Sequence, residues 1–230
     1  MVKEKSDCHP SVVVAYSKDV GKFLMSVYDE GYPRKAYRLS ANNIGGNPEP
    51  KDTTTENVLL REISEEFDPN HPEEKMYVGK VDWASKEDIR LVRNGLLGNV
   101  QPLQDFMVRQ PEVIEGGNKP YQGVYSVFYT SINGEVIECV EKNLKDKKNI
   151  VTEGNIGVFT LEQLAKSPRG EFSTAHVTAH ILNWKYKSNI PHPKQISAEP
   201  IGLPRRSYNN YTDDFVYNQE DLIKASNAED

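Results

Sequence analysis

The stretch GGNPEPKDTTTENVLLREISEEFDPN, residues 45–70, carries a strong helix signal. Thr53 is followed three residues later by Glu56, which fits a capping box at the start of a helix. The apolar side chains behind this pair recur at helical spacing and would form one stripe: Val58, Leu59, Ile63 and Phe67. Pro69 cannot continue a helix. The stretch therefore predicts an amphipathic helix that begins shortly after a Gly-Gly loop.

Three carboxylates share one face of this predicted helix. Glu62, Glu65 and Glu66 are spaced i, i+3, i+4, so their side chains project together. Like charges this close repel, and a divalent cation would remove the repulsion, because Mg²⁺ is usually held by a few carboxylates together with waters and substrate phosphates. The alternative is a solvated helix face on which Arg61 balances one carboxylate.

The same residues resemble the Nudix box, commonly written G-x5-E-x7-R-E-U-x-E-E-x-G-U with U aliphatic. Its R-E-U-x-E-E core is matched in full by REISEE at positions 61–66, behind the glycines at 45 and 46. Outside the core the sequence departs from the pattern. Asp52 stands where the pattern has Glu, eight residues rather than seven separate it from Arg61, and Asp68-Pro69 replaces the closing Gly and aliphatic residue.

The resemblance implies an α+β fold, an α/β/α sandwich with a curved mixed sheet between helices. It implies a hydrolase that uses Mg²⁺ or Mn²⁺ and water to cleave the diphosphate linkage of a nucleoside diphosphate joined to another moiety. Carried over residue by residue, Glu62, Glu65 and Glu66 would bind the metal, and Arg61 would pair with a carboxylate of the box. Gly45 and Gly46 would lie against the substrate.

Two further residues are assigned to the site. In many relatives a glutamate on a loop before the last strand acts as base or extra ligand, and Glu153 in VTEGNIGVFTLEQL resembles it; Glu115 is the second candidate. Arg38 lies where the sheet approaches the glycine loop and could meet phosphates, although an ordinary surface cation is the alternative. Several aromatic side chains could stack on a nucleobase, but aromatic residues in strands are usually core: Tyr28, Tyr32, Tyr37, Trp83 and Phe106.

The remaining pattern predicts one domain over residues 1–190. Strands are predicted at 11–17, 22–30, 36–46, 75–84 and in NIGVFT, helices in TLEQLAK and at 173–186 with Ser173 as cap, and a hairpin over 121–140 that turns at Asn133-Gly134. Residues 85–120 are expected to be an insertion, weakly helical at first and then a long loop or lid. Residues 191–230 are interpreted as a C-terminal extension that lies over the domain or crosses to a second subunit of a homodimer.

His176 and His180, at i, i+4, could bind Zn²⁺, but no third ligand is evident and packing is the favoured role.

Composition narrows the classes of partner. The 230 residues carry a net charge of -6, which argues against sequence-independent binding to nucleic acid or to an anionic membrane surface. No apolar run approaches the roughly 18 residues of a membrane span, and the two cysteines suggest neither a disulfide framework nor a thiolate metal site. A reducing cytoplasm is therefore expected, and the composition is compatible with the small phosphorylated ligand that the resemblance implies.

The substrate class is less sharply indicated. Chain length and the region 85–120 are more typical of Nudix enzymes for ADP-ribose and related nucleotide sugars than of compact nucleoside-triphosphate hydrolases. Two alternatives remain. The fold could serve as a ligand sensor or interaction module without hydrolysis, or the altered box could act on a non-nucleotide diphosphate such as an inositol or isoprenoid pyrophosphate.

Overall fold

The computed structural model describes residues 8–32, 37–70, 74–75, 79–110, 120–166, 173–192 and 196–202. The strands are β1 (Ser11–Ser17), β2 (Lys22–Val27), β3 (Ser40–Asn42), β4 (Ile44–Gly46), β5 (Glu74–Lys75), β6 (Gly79–Lys80), β7 (Gln101–Gln110), β8 (Tyr121–Ser131), β9 (Asn155–Phe159), β10 (Ser173–Thr174) and β11 (Ser197–Ile201). The helices are α1 (Thr55–Glu66), α2 (Lys86–Leu97), α3 (Gly134–Lys145), α4 (Leu161–Lys166) and α5 (His176–Tyr186). Among these described helices, none has the length and apolar character needed to cross a bilayer.

Within the described residues, nine strands form one mixed sheet. Its main order is β10-β3-β2-β1-β8-β7-β11, with β4 also paired to β1 and β9 also paired to β2. The central strand β1 runs antiparallel to β2 and β4 but parallel to β8. Strands β5 and β6 form a separate two-stranded ribbon. The chain is therefore a mixed α+β protein, as predicted.

Two hydrophobic cores lie on opposite faces of the sheet because side chains alternate along β1. Val13 and Ala15 join the core that contains the buried faces of α1, α2 and α3. Val12 and Val14 join the core that contains buried residues of α4 and α5. Helices therefore cover both faces of the sheet, and α1 is held by its fully buried residues Val58, Leu59 and Ile63.

The predicted hairpin over residues 121–140 is wrong. Strand β8 ends at Ser131, and Asn133 becomes the residue before helix α3. Asn133 has φ -72°, whereas a two-residue hairpin turn of the Asn-Gly type needs positive φ at both positions. Helix α3 buries Val136, Ile137 and Val140, a spacing that suits a helix as well as their β-branched side chains suit a strand.

The helix predicted at the start of residues 85–120 is confirmed by α2, but the long loop predicted after it is wrong over residues 101–110. Strand β7 occupies this part of the chain and pairs with both β8 and β11. Pro102 is accommodated near the strand start, where the pairing register shifts between Pro102 and Gln104. Glu115 lies outside the described residues.

Several element boundaries also differ from the predictions. Thr54, rather than Thr53, caps α1, because its side chain accepts a hydrogen bond from the Asn57 N–H. Ser173 lies in β10, and α5 begins after Ala175 without a side-chain cap. The C-terminal extension contributes β11 at the sheet edge. Strands β1, β2 and β9 and helix α4 lie where the sequence predicts them.

Candidate functional site

The candidate site lies on the face of α1 that turns away from the core. Burial of the apolar stripe turns Arg61, Glu62 and Glu65 towards the strand β4 glycines and the loop that joins β4 to α1. Glu65 is exposed, whereas Glu62 and Arg61 are largely covered. The helix therefore has one face that packs and one that carries charge.

Arg61 is the centre of a hydrogen-bonded network. Its Nε donates to Asp52 Oδ1 over 3.2 Å, and its Nη2 donates to Asp52 Oδ2 over 3.2 Å. The same Nη2 donates to Glu62 Oε1 over 2.9 Å and to the Asn47 carbonyl oxygen over 2.8 Å. Nη1 donates to Glu65 Oε2 over 2.8 Å. One guanidinium thus ties the helix carboxylates to the preceding loop, which is the pairing with a box carboxylate that the resemblance implied.

The two glycines of β4 allow this strand to lie close to its neighbours. A Cβ atom at Gly45, whose φ is +139°, would lie 2.1 Å from the Ser11 carbonyl oxygen. At Gly46 a Cβ atom would lie 2.3 to 2.5 Å from the carboxyl group of Glu62. Glycine is thus required at position 45 because of its positive φ and the nearby Ser11 backbone. At position 46 the missing side chain leaves room for the carboxylate of Glu62, a candidate metal ligand.

The network sets the charge states of its carboxylates. Burial would raise the pKa of Asp52, but hydrogen bonds from Arg61 and from the Glu49 N–H outweigh it and hold the pKa below its ordinary value. Burial raises the pKa of Glu62, and the charge and hydrogen bond of Arg61 offset this only in part. Arg61 therefore stabilises the ionised form of Asp52, whereas the ionised form of Glu62 is less stable than that of an ordinary glutamate.

Glu66 is the least satisfied carboxylate of the site. Its Oε2 is shielded from solvent and has no hydrogen-bond partner among the described residues. Burial raises the pKa of Glu66 well above its ordinary value, and the charges of Glu62 and Glu153 raise it further. Shielding an ionised carboxylate oxygen without a donor is costly, so Glu66 is the group in this site that gains most from a cation.

The loop before β9 is attached to the end of α1. Thr152 donates through its N–H to the Glu66 carbonyl oxygen over 2.9 Å and through Oγ1 to the Glu65 carbonyl oxygen over 3.1 Å. These bonds hold the neighbouring residue, the exposed Glu153, close enough to Glu62 and Glu66 to raise the pKa of both. The structure thus brings Glu153 to the acidic helix across nearly ninety residues of sequence.

The carboxylate oxygens of this site are of the kind that binds a hard divalent cation, although they do not surround a single point. Arg61 occupies oxygens of Glu62 and Glu65, and no three His, Cys, Asp or Glu side chains of the described residues form a metal cage. Carboxylate oxygens are nevertheless the ligands that Mg²⁺ and Mn²⁺ prefer, and Glu66, whose Oε2 has no partner among the described residues, is close enough to Glu62 and Glu153 for their charges to raise its pKa. The residues present therefore fit a cation that completes its shell with water or substrate.

Other candidate residues lie apart from the Arg61 network. Arg38 is exposed and donates through Nε to the Tyr32 carbonyl oxygen over 2.8 Å. His176 is buried, and burial lowers its pKa to about 4, while His180 Nε2 lies 2.8 Å from the Ile196 carbonyl oxygen. These two histidines pack within the fold, and Arg38 contacts the backbone of Tyr32.

Sequence reasoning did not assign functional roles to Asp52 or Thr152. Asp52 was recognised only as a departure from the box pattern, and Thr152 carries no motif that distinguishes it. No protein-family model matches this chain, and no curated protein matches it in sequence.

Proposed function

We propose that this chain is a Mg²⁺- or Mn²⁺-dependent hydrolase of the Nudix type, with an α/β/α sandwich typical of that family. The observation that carries the proposal is the arrangement at the end of α1. Arg61 orders Glu62 and Glu65 against a two-glycine loop, and Glu66 keeps a buried oxygen without a protein donor. A solvated charged helix face would not need the glycine at 46 or bury Glu66.

Glu62, Glu65 and Glu66 would hold the cation. When bound, it would neutralise the diphosphate and make water easier to deprotonate. Arg61 is a positioning residue, because its fork fixes the carboxylates of Glu62 and Glu65 relative to Asp52. Gly45 and Gly46 would bind the substrate, as the resemblance implies, and the missing side chain at Gly46 makes room for the Glu62 carboxyl group beside it.

Glu153 is the proposed general base. It takes the proton of a water whose oxygen adds to one phosphorus atom, while the bridging P–O bond breaks. The products are a nucleoside monophosphate and a phosphorylated second moiety. Exposure of Glu153 permits proton exchange with solvent, and the bonds of Thr152 fix its loop to the helix.

The proposed substrate is a small nucleoside diphosphate derivative, with ADP-ribose or a nucleotide sugar as the first choice. The net charge of -6 disfavours binding to polyphosphates or nucleic acid, both of which need clustered cations. A cytoplasmic location, expected from the cysteine usage, and a homodimer belong to the same proposal.

A second candidate function is a ligand sensor with the same fold and no hydrolysis. One observation favours it: Arg61 already donates to an oxygen of Glu62 and an oxygen of Glu65, so both carboxylates have a positively charged partner without a metal ion. The buried oxygen of Glu66 favours the enzyme instead, since Arg61 leaves it unsatisfied.

The choice between an enzyme and a ligand sensor is tested by measuring hydrolysis as phosphate release in the presence of Mg²⁺. The panel contains ADP-ribose, ADP-glucose, NADH, diadenosine polyphosphates and nucleoside triphosphates, with a phosphatase present to release phosphate from the products. We expect turnover of one class, its loss in Glu66→Gln and its retention in Glu138→Gln, which changes an exposed glutamate on α3. Silence across the panel by a protein that still binds one of these compounds would favour the sensor.

A further inference from the structure

Four aromatic rings form a row that begins in the loop after β2. The Tyr32 and Tyr28 ring centroids are 4.1 Å apart with planes tilted by 31°, close to a stacked pair. Tyr37 follows at 5.9 Å from Tyr28, and His176 follows at 5.5 Å from Tyr37. His176 is buried, whereas the three tyrosines are only half-buried. Tyr32 is thus one end of the row formed by described residues.

The row adjoins the acidic site through the backbone. Val27 pairs with Asn155, and a Cβ atom at Gly154 would lie 2.8 Å from the Val27 carbonyl oxygen and 3.9 Å from the Tyr28 Cα atom. Tyr28 therefore lies against the residue that follows Glu153. Burial and the Tyr32 phenol raise the pKa of Tyr28, and the Glu66 carboxylate adds to the effect.

Hydrogen bonds fix the inner ring of the row. Asn42 Nδ2 donates to the Tyr28 hydroxyl over 2.9 Å, and Thr178 Oγ1 donates to Asn42 Oδ1 over 2.7 Å. The Tyr28 ring also packs against the Tyr32 ring at 4.1 Å between centroids. Arg38 donates to the Tyr32 carbonyl oxygen and so anchors the backbone of Tyr32. Because the Tyr32 ring packs on the fixed Tyr28 ring, it can stack on a ligand with little loss of side-chain entropy.

We propose that Tyr32, supported by Tyr28, is the subsite for a planar aromatic ring of the ligand, a nucleobase in the first instance. The orientation of the bound ligand rests on the proposed function. The ring of the ligand stacks on Tyr32, while its phosphates lie towards Glu62, Glu66 and Glu153. Arg38, which is exposed and donates to the Tyr32 carbonyl oxygen, adds positive charge beside Tyr32. Phe106 and Trp83, the other aromatic candidates, pack in or against the cores instead.

AMP and ribose 5-phosphate form the matched probe pair, because they share the sugar and phosphate and differ by the base. Binding of each to the full chain is measured by titration calorimetry with Mg²⁺ present, for the natural protein, Tyr32→Leu and Tyr32→Phe. We expect AMP to bind more tightly than ribose 5-phosphate. Tyr32→Leu should weaken AMP binding by about five- to a hundredfold, the range typical of one base–aromatic stack, while Tyr32→Phe changes it less than about twofold.

Equal affinity for both probes, no measurable binding of AMP, or an equal loss for both probes in Tyr32→Leu would overturn the subsite. Thermal unfolding of each variant shows that the fold is retained. AMP has no diphosphate bond to cleave, so this test is separate from the hydrolysis test. Loss of AMP binding in Tyr32→Leu in a protein without hydrolase activity would support the subsite and contradict the proposed enzyme. Hydrolysis at the natural rate by Tyr32→Leu would contradict the subsite and support the proposed enzyme.

Discussion

Arg61 and Asp52 are nine residues apart and meet through two bonds of 3.2 Å, Nε to Oδ1 and Nη2 to Oδ2. The Asp52 side chain is 4% exposed and that of Arg61 is 11% exposed, so this pair is shielded from water. It joins the irregular loop after β4 to the charged face of α1. The relationship makes the loop and the helix one unit, on which the positions of Glu62 and Glu65 depend.

Loss of Arg61 should therefore be costly for stability. Arg61→Gln leaves Asp52 buried with only the Glu49 N–H as a recorded donor, and we expect a loss of about 2 to 4 kcal/mol in the free energy of unfolding, measured in urea. The control is Arg90→Gln, because the Arg90–Glu87 pair is exposed and 3.5 Å long and should contribute less than about 0.5 kcal/mol. Similar losses in both variants would contradict the account.

The two glycines should respond differently to alanine. Gly45→Ala places a Cβ atom against the backbone of Ser11 and should prevent stable folding, because backbone cannot move aside. Gly46→Ala meets only the movable end of Glu62, so the protein should fold with a nearly unchanged melting temperature. Its hydrolytic kcat should fall at least about tenfold because the carboxylate is displaced. Normal activity in Gly46→Ala would mean that the position of Glu62 is unimportant.

Glu66 should make stability depend on pH in a definite direction. Because its folded pKa is raised, its favourable contribution is complete below the unfolded value near 4.5 and is lost as pH rises through the folded pKa. Without divalent cation, Glu66→Gln should therefore become more stable than the natural protein as pH rises above about 4.5. Thermal unfolding from pH 4 to 8 measures the difference. A constant difference across this range would show that Glu66 is not buried as an anion.

Glu153→Gln should reduce kcat and leave KM nearly unchanged. A general base contributes roughly a hundredfold or more, and glutamine cannot accept the proton. Steady-state kinetics on whichever compound the panel identifies measures the effect, with Glu138→Gln as the control for removal of one exposed charge. Turnover of Glu153→Gln at the natural rate would exclude the residue as base.

Thr152 should act through Glu153. Thr152→Val loses the bond to the Glu65 carbonyl but keeps the backbone bond to Glu66, so we expect a several-fold lower kcat with an unchanged KM. Thr152→Ser keeps the hydroxyl and should restore the natural kcat. If serine and valine give equal rates, the hydroxyl does not position the loop.

Helix α1 was predictable from sequence because its signals are local. Spacing of Val58, Leu59 and Ile63, together with a threonine at the start and a proline after the end, specifies both the helix and its buried side. The carboxylates at 62, 65 and 66 then follow from helical geometry. Only the capping residue differs, by one position.

The elements that sequence missed depend on tertiary context. Asn133-Gly134 suits a hairpin turn, but packing of Val136 and Ile137 against α2 and the sheet selects a helix. Pro102 suggested a loop, yet its strand tolerates it beside a register shift. The Thr152 contacts that bring Glu153 to α1 span nearly ninety residues, which no local pattern records.

Binding of Mn²⁺ tests the central claim most directly, because it requires no knowledge of the substrate. Free Mn²⁺ is counted by electron paramagnetic resonance in titrations of the natural protein, Glu66→Gln and Glu138→Gln. We predict saturable binding by the natural protein and by Glu138→Gln, and a loss of affinity of at least about tenfold in Glu66→Gln. Equal affinity in all three proteins, or no binding by the natural protein, would contradict a metal site built on α1.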